Sequence, residues 1–303
     1  MRFGKGMAAL AAIGIAAATA SCGSNDSNGT EKSGNELRWT AIRANEAGFD
    51  RAPVILTAGA ESVLVDGGFT LSDGKALADR INTIGQPLST VFVTSSDPDY
   101  YFGLRPVTSA FPQAKVLAPE DVVAAVHGNV EGKIATWSPQ LGDNGPRAVA
   151  DVVIAQPSAQ TALTVGGHTL DIVRADNLGD RYYLWSQDLR AIFGGNLVAS
   201  GEHLFIADLP ASAQRKQWIA NLDTMIARDP KIVVAGHAPA GADNGIAALR
   251  FTRDYLLAFN EAEAAAGNSA DLIAAMKQRY PGLPGESSLE LSAKVVKGEM
   301  QWG

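Results

Sequence analysis

The sequence predicts an α/β fold: an αββα sandwich in which two mixed β-sheets pack face to face and helices cover the outer faces. Three observations predict it. Short β-branched runs alternate with segments of helical spacing. That order occurs twice, in two similar halves. The apolar content of 46% lets the roughly 265 residues after the N-terminal segments bury one substantial core.

The chain divides into three parts. Arg2 and Lys5 precede an apolar run over 7–20, too short to span a bilayer, which leads to Cys22, the single cysteine. Residues 1–21 therefore read as an export signal. The Thr-Ala-Ser-Cys ending resembles a bacterial lipoprotein box, which implies that Cys22 becomes the acylated N-terminus. The expected location is then a lipid bilayer, with the protein facing the periplasm or the cell exterior; the other reading is plain cleavage and secretion with a free thiol. One cysteine allows no disulfide within the chain, so an exported protein must rely on its core. Residues 22–37 carry almost no apolar side chains and read as a flexible tether, and 38–303 form one domain. Loss of Arg2 and Lys5 takes the formal charge from -7 to -9. An acidic surface with few aromatics disfavours nucleic acid as a partner.

Within the domain, 54–57 and 62–66 read as a hairpin that ends in the turn Asp66-Gly-Gly. Ser72 is a plausible N-cap for a helix whose apolar residues Leu77, Ile81 and Ile84 keep helical spacing and stop near Gly85. Strands follow at 91–94 and 115–118, separated by a short helix over 107–111, and 120–126 reads as another helix. The second half has strands at 151–154, 162–165, 169–173, 182–185 and 191–193, then a helix over 212–228. A last strand at 231–235 precedes a helix over 244–266.

The stretch TSSDPDYYFG, 94–103, ends an apolar run in two carboxylates and several hydroxyls. Here the sequence resembles the metallo-β-lactamase-fold hydrolases, over most of 50–260. That family follows a strand with Thr-His-x-His-x-Asp-His-x-x-Gly, and 94–103 aligns with it without a gap. Ser95 stands at the first histidine, Asp97 at the second, Asp99 at the retained aspartate and Tyr100 at the last histidine. VLVDGG, 63–68, resembles the strand and turn before the motif helix. The third zinc histidine corresponds to Asp176, and the bridging aspartate to Asn196. The final histidine is kept as His237, in GHAP. His203 resembles a histidine-bearing loop of exported members, and is either a cleft wall or a structural hydrogen-bonding residue.

Zinc favours nitrogen, and a pair of zinc ions needs a bridging carboxylate. With four of five histidines replaced and the bridging acid an amide, the resemblance does not extend to a dizinc site. Two readings follow. In one, the chain is a pseudoenzyme that binds an unknown small molecule in its cleft without a cofactor. In the other, Asp97, Asp99, Asp176 and His237 hold a single divalent cation, Mg, Mn, Ca or Fe, with Asp99 and Asp97 as the catalytic pair. Three convergent carboxylates repel one another and need a compensating cation. A bound metal ion would supply it, and so would Arg174 or Arg181, which flank the third motif; if either folds inward onto the acids, the metal is unnecessary. Tyr100 is expected to fill the vacated metal pocket. Serine hydrolysis through Ser95 or Ser96 has no Gly-x-Ser-x-Gly elbow to support it. His127 and His168 are expected in exposed loops, and Trp137 and Trp185 in the core or cleft lining.

Overall fold

The computed structural model describes residues 34–302. The expected export signal, Cys22 and most of the tether lie outside those residues. Six strands stand side by side in the first sheet: β1 (Arg38–Ala41), β2 (Val54–Ala58), β3 (Glu61–Val65), β4 (Leu88–Phe92), β5 (Lys115–Pro119) and β6 (Gln156–Ser158). The first three form an antiparallel meander, and β3 to β6 run parallel. Parallel neighbours need long crossovers, which α1 (Leu71–Ile84), α2 (Leu104–Ala110) and α3 (Glu120–Leu141) provide.

The second sheet holds β7 (Ala162–Val165), β8 (His168–Arg174), β9 (Tyr182–Ser186), β10 (Ala191–Phe193) and β11 (Ile232–Val233). Its strands are antiparallel except β11, which returns parallel to β10 after α4 (Ser212–Ala227). Three helices follow, α5 (Ala247–Ala265), α6 (Ser269–Arg279) and α7 (Glu286–Val296).

The period-two alternation of strands distributes their side chains between two cores. Val54, Leu56, Val63 and Val65 face the other sheet, where they meet Leu163, Leu170, Leu184 and Phe193. Ile55 and Leu64, one residue out of phase, pack instead under α1 to α3 with Leu77, Ile81 and Val122. A third core joins the second sheet to α4 to α7. The predicted layering of two mixed sheets between helices is the observed one.

Several local expectations need correction. Thr70, not Ser72, caps α1: its side chain accepts from Asp73 N, and the Asp73 carboxylate accepts from Thr70 N in return. The helix predicted to end at 126 continues to Leu141. Gly128 and Gly132 weaken its propensity, but Val122, Val126, Val130 and Ile134 repeat every fourth residue and bury one face. No strand forms over 151–154; a single 3-10 turn ends at Asp151 and the edge strand is β6. Domain packing reaches back before 38, since Leu37 is buried and Asn35 Nδ2 donates to Gly166 O at 2.8 Å. No helix among the described residues is long and apolar enough to cross a membrane.

Candidate functional site

The site lies where β3, β4, β10 and β11 end and their loops converge. Asp66 follows β3 in the left-handed conformation, φ 65°, which a non-glycine residue adopts only at a cost. Hydrogen bonds hold it there. Its Oδ1 accepts from Thr94 N at 2.8 Å and Thr94 Oγ1 at 2.9 Å, and Oδ2 accepts from Arg51 Nη2 at 2.7 Å. Thr94 Oγ1 also accepts from Gly195 N at 2.9 Å, which ties the end of β4 to the loop after β10.

Arg51 occupies the centre. Its side chain is wholly excluded from solvent, and its Nη1 donates to Gly236 O at 2.7 Å. The guanidinium carbon stands 3.6 Å from the centre of the Tyr100 ring, a cation–π seat. Arg51 Nε lies 3.5 Å from Asp99 Oδ2, an ion-pair separation without hydrogen-bond alignment. A β-bridge pairs Arg51 with His237 through the backbone. The loops after β10 and β11 touch so closely at this point that a Cβ on Gly236 would come within 2.4 Å of Gly195 O. Only glycine fits.

Asp99 and His237 form the second pair. His237 Nε2 stands 3.2 Å from Asp99 Oδ2, while Nδ1 lies 2.8 Å from Phe49 O. A carbonyl can only accept, so Nδ1 carries a proton. Burial opposes the charged imidazole, but the Asp99 carboxylate outweighs it and His237 titrates above its ordinary value. Burial likewise opposes the Asp99 carboxylate, yet His237 and Arg51 together hold Asp99 below its ordinary value. Tyr100 is buried, and burial pushes its phenol well above the ordinary value, so it stays neutral.

Asp97 sits nearer the opening. Its Oδ2 accepts from Asn196 Nδ2 at 2.7 Å and from Ser95 Oγ at 3.2 Å. Two site oxygens, Tyr100 OH and Asn196 Oδ1, are buried without a hydrogen-bond partner. Glu202 lies close enough to feel His237 and Asp50, and burial pushes its carboxyl up to about 7.

The sequence profile of the metallo-beta-lactamase superfamily matches residues 51–237. The chain belongs to that superfamily. Among solved structures, a metallo-beta-lactamase from Pontibacter korlensis aligns at 17% identity over 73% of this chain and 99% of its own, with a TM-score of 0.50. One from Hirschia baltica aligns at 13% identity over 74% of this chain and 94% of its own, with a TM-score of 0.50. At these identities the likeness speaks for the fold. No curated protein matches the chain.

The donors present do not fit the metals that the superfamily implies. No group of three or more His, Cys, Asp or Glu side chains among the described residues is arranged to hold an ion. One His237 nitrogen is committed to Phe49 O and the other faces Asp99, and a fixed positive charge, Arg51, stands beside the Asp99 carboxylate. Ser95, Asp97 and Asn196 lie together, and Asp99 and Tyr100 lie beside His237. Asp176 does not join Asp97 and Asp99 in a ligating group. It is exposed after β8, with its backbone bound to Asn221.

Arg174 and Arg181 do not fold onto the acids. Arg174 pairs with Asp121 at 2.8 Å and Arg181 Nη1 donates to Leu178 O at 3.0 Å. The compensating cation is Arg51, from before β2 and far from the third motif in sequence. His203 is structural: it is buried, with Nδ1 2.7 Å from Tyr255 OH. His168 opens β8 rather than lying in a loop, and bridges Asp188 and Asn35 O. His127 is exposed, but on α3. Trp185 is buried in the core beneath α4 and α5, and Trp137 packs on Phe49 and Phe69. A buried arginine has no local sequence signature; its one early signal is a charged residue immediately before the apolar run of β2.

Proposed function

We propose that this chain is a cell-envelope lipoprotein, anchored through acylated Cys22, that keeps the metallo-β-lactamase scaffold and cleft but binds a small molecule without metal and without hydrolysis. Arg51 carries the reading. Its guanidinium supplies the positive charge that a cation would otherwise supply to Asp99, in a form that cannot dissociate and has no lone pair to offer. Binding is supported by the buried oxygens of Tyr100 and Asn196 that lack hydrogen-bond partners. A buried polar atom left unpaired costs roughly 1–3 kcal/mol, and a polar ligand would recover part of it.

The test is metal content after purification without chelator, alongside Asp99→Ala and assays with ester and lactam substrates. Metal well below one equivalent, unchanged in Asp99→Ala, and no turnover are expected. A stoichiometric ion that Asp99→Ala removes, together with turnover, establishes the competing reading of a hydrolase with one hard or iron-type cation. Anchoring is checked separately: Cys22→Ser releases the protein from the membrane fraction, and mass spectrometry of the N-terminal peptide finds the acyl groups.

A further inference from the structure

The chain enters the domain beside the start of β8. His168, the first residue of that strand, meets two groups that can only accept hydrogen bonds. Its Nδ1 lies 2.6 Å from Asp188 Oδ2, on the turn between β9 and β10, and its Nε2 lies 2.7 Å from the backbone carbonyl oxygen of Asn35. Neither a carboxylate nor a carbonyl has a proton to offer, so both bonds exist together only while the ring carries a proton on each nitrogen. The arrangement is that of an imidazolium.

A second tie joins Asn35 to the same place. Its Nδ2 donates to Gly166 O at 2.8 Å, and Gly166 N donates to Glu61 Oε2 at 2.8 Å. Gly34, Asn35 and Glu36 are exposed, and burial begins at Leu37, so polar contacts are what hold this entry segment. The charges around the ring favour its proton. The bond to Asp188 first and the Asn35 carbonyl second hold His168 above its ordinary 6.5, against the opposing effect of burial. Glu61, on β3, adds negative charge one bond further off. On the incoming chain Glu36 and Arg38 pair with each other at 3.4 Å, and Asp171, an odd number of residues along β8, lies on the other face of that strand.

We propose that His168 is a proton-operated latch: as imidazolium it fastens residues 34–36 to the start of β8, and on losing a proton it releases them, so that the fixed part of the domain begins at Leu37. The neutral ring keeps the proton that faces Asp188, because a carboxylate is the stronger acceptor, and turns a lone pair toward Asn35 O. Two acceptors at 2.7 Å repel. The latch is closed below 6.5 and opens as pH rises through the folded value. Where Cys22 is acylated, opening adds residues 34–36, roughly 10 Å of extended chain, to the reach between lipid and domain. The inference concerns that attachment and holds whatever the cleft binds.

A nitroxide label tests it in the full chain carrying Cys22→Ser. A Cβ at Gly34 would meet none of the described residues within 4 Å, so Gly34→Cys places a label next to Asn35 without crowding. Lys75→Cys, exposed on α1, carries the control label in a separate sample. As pH rises from below 6.5, the rotational correlation time at 34 should fall several-fold, the step from a bonded segment to a frayed one, with a midpoint that matches the His168 titration read from its imidazole NMR signals. Asp188→Asn should move that midpoint down, and His168→Gln, which cannot titrate, should leave the spectrum at 34 constant across the range. A spectrum at 34 that ignores pH in the parent, or that changes equally in His168→Gln, overturns the proposal. So does a matching change at 75, because it reports loosening of the whole domain.

Discussion

The guanidinium of Arg51 and the carboxylate of Asp66 meet at 2.7 Å with both side chains wholly excluded from solvent. A fully buried ion pair adds little net stability over a well-packed apolar pair, but losing one partner strands the other charge. Arg51→Met should therefore destabilise the fold by about 3–5 kcal/mol, read as a lower urea midpoint at unchanged slope. Arg51→Lys should restore only part of the loss. A single ammonium cannot reach Asp66 and Gly236 O and also stack flat on Tyr100.

The His237 and Asp99 pair predicts a pH window. His237 titrates above its ordinary 6.5, so its stabilising contribution is complete below 6.5 and is lost as pH rises through the folded value. Asp99 titrates below its ordinary 3.8, so its contribution is complete above 3.8 and is lost as pH falls through the folded value. Stability from this pair should be greatest between those two ordinary values. Urea midpoints measured across pH should fall on the alkaline side in the parent chain, and His237→Gln should flatten that limb.

Glu202 adds to the loss of stability on the alkaline side. Burial lifts its carboxyl to about 7 from an ordinary 4.5, so the fold favours the neutral acid and loses stability as pH climbs between those values. Glu202→Gln should stabilise the protein above pH 7 by about 1–2 kcal/mol, reduced from the full effect by partial exposure, and should have no effect at pH 4. Paired denaturation curves at the two pH values check it.

Asn196 faces Asp97 across the site. Its Nδ2 donates to Asp97 Oδ2 at 2.7 Å, so Asn196→Asp replaces a donor with a second negative charge. The variant should lose about 1–3 kcal/mol at pH 7 and recover on acidification. Adding zinc should not restore it, because Arg51 remains. Recovery in zinc, with an ion measured in the protein, would show that the remaining donors suffice.

The layers were legible because alternation and helical spacing are local signals. Val54-Ile-Leu and Val63-Leu-Val each divide between two cores, and the residues themselves show it. The gapless run 94–103 put Asp97, Asp99 and Tyr100 in one loop, and in the structure they lie beside Asn196 and His237. Longer-range facts were not legible. Arg51 reaches Gly236 across 185 positions, and no periodicity announces such a partner. The outward turn of Arg174 depends on Asp121, on a helix far away in sequence. Ser72 was a reasonable cap by composition, but Thr70 has the extended backbone and the reciprocal Asp73 that a cap requires.

The bridge between Arg51 and His237 also bears on the order of assembly. The first and last residues of the segment matching the superfamily are direct neighbours, so the centre of the molecule cannot close until nearly all of that segment is in place. Joining such distant positions carries a high loop entropy and slows folding. In refolding, the amides at this junction should be among the last to gain protection, after the hairpin of β2 and β3 has already formed.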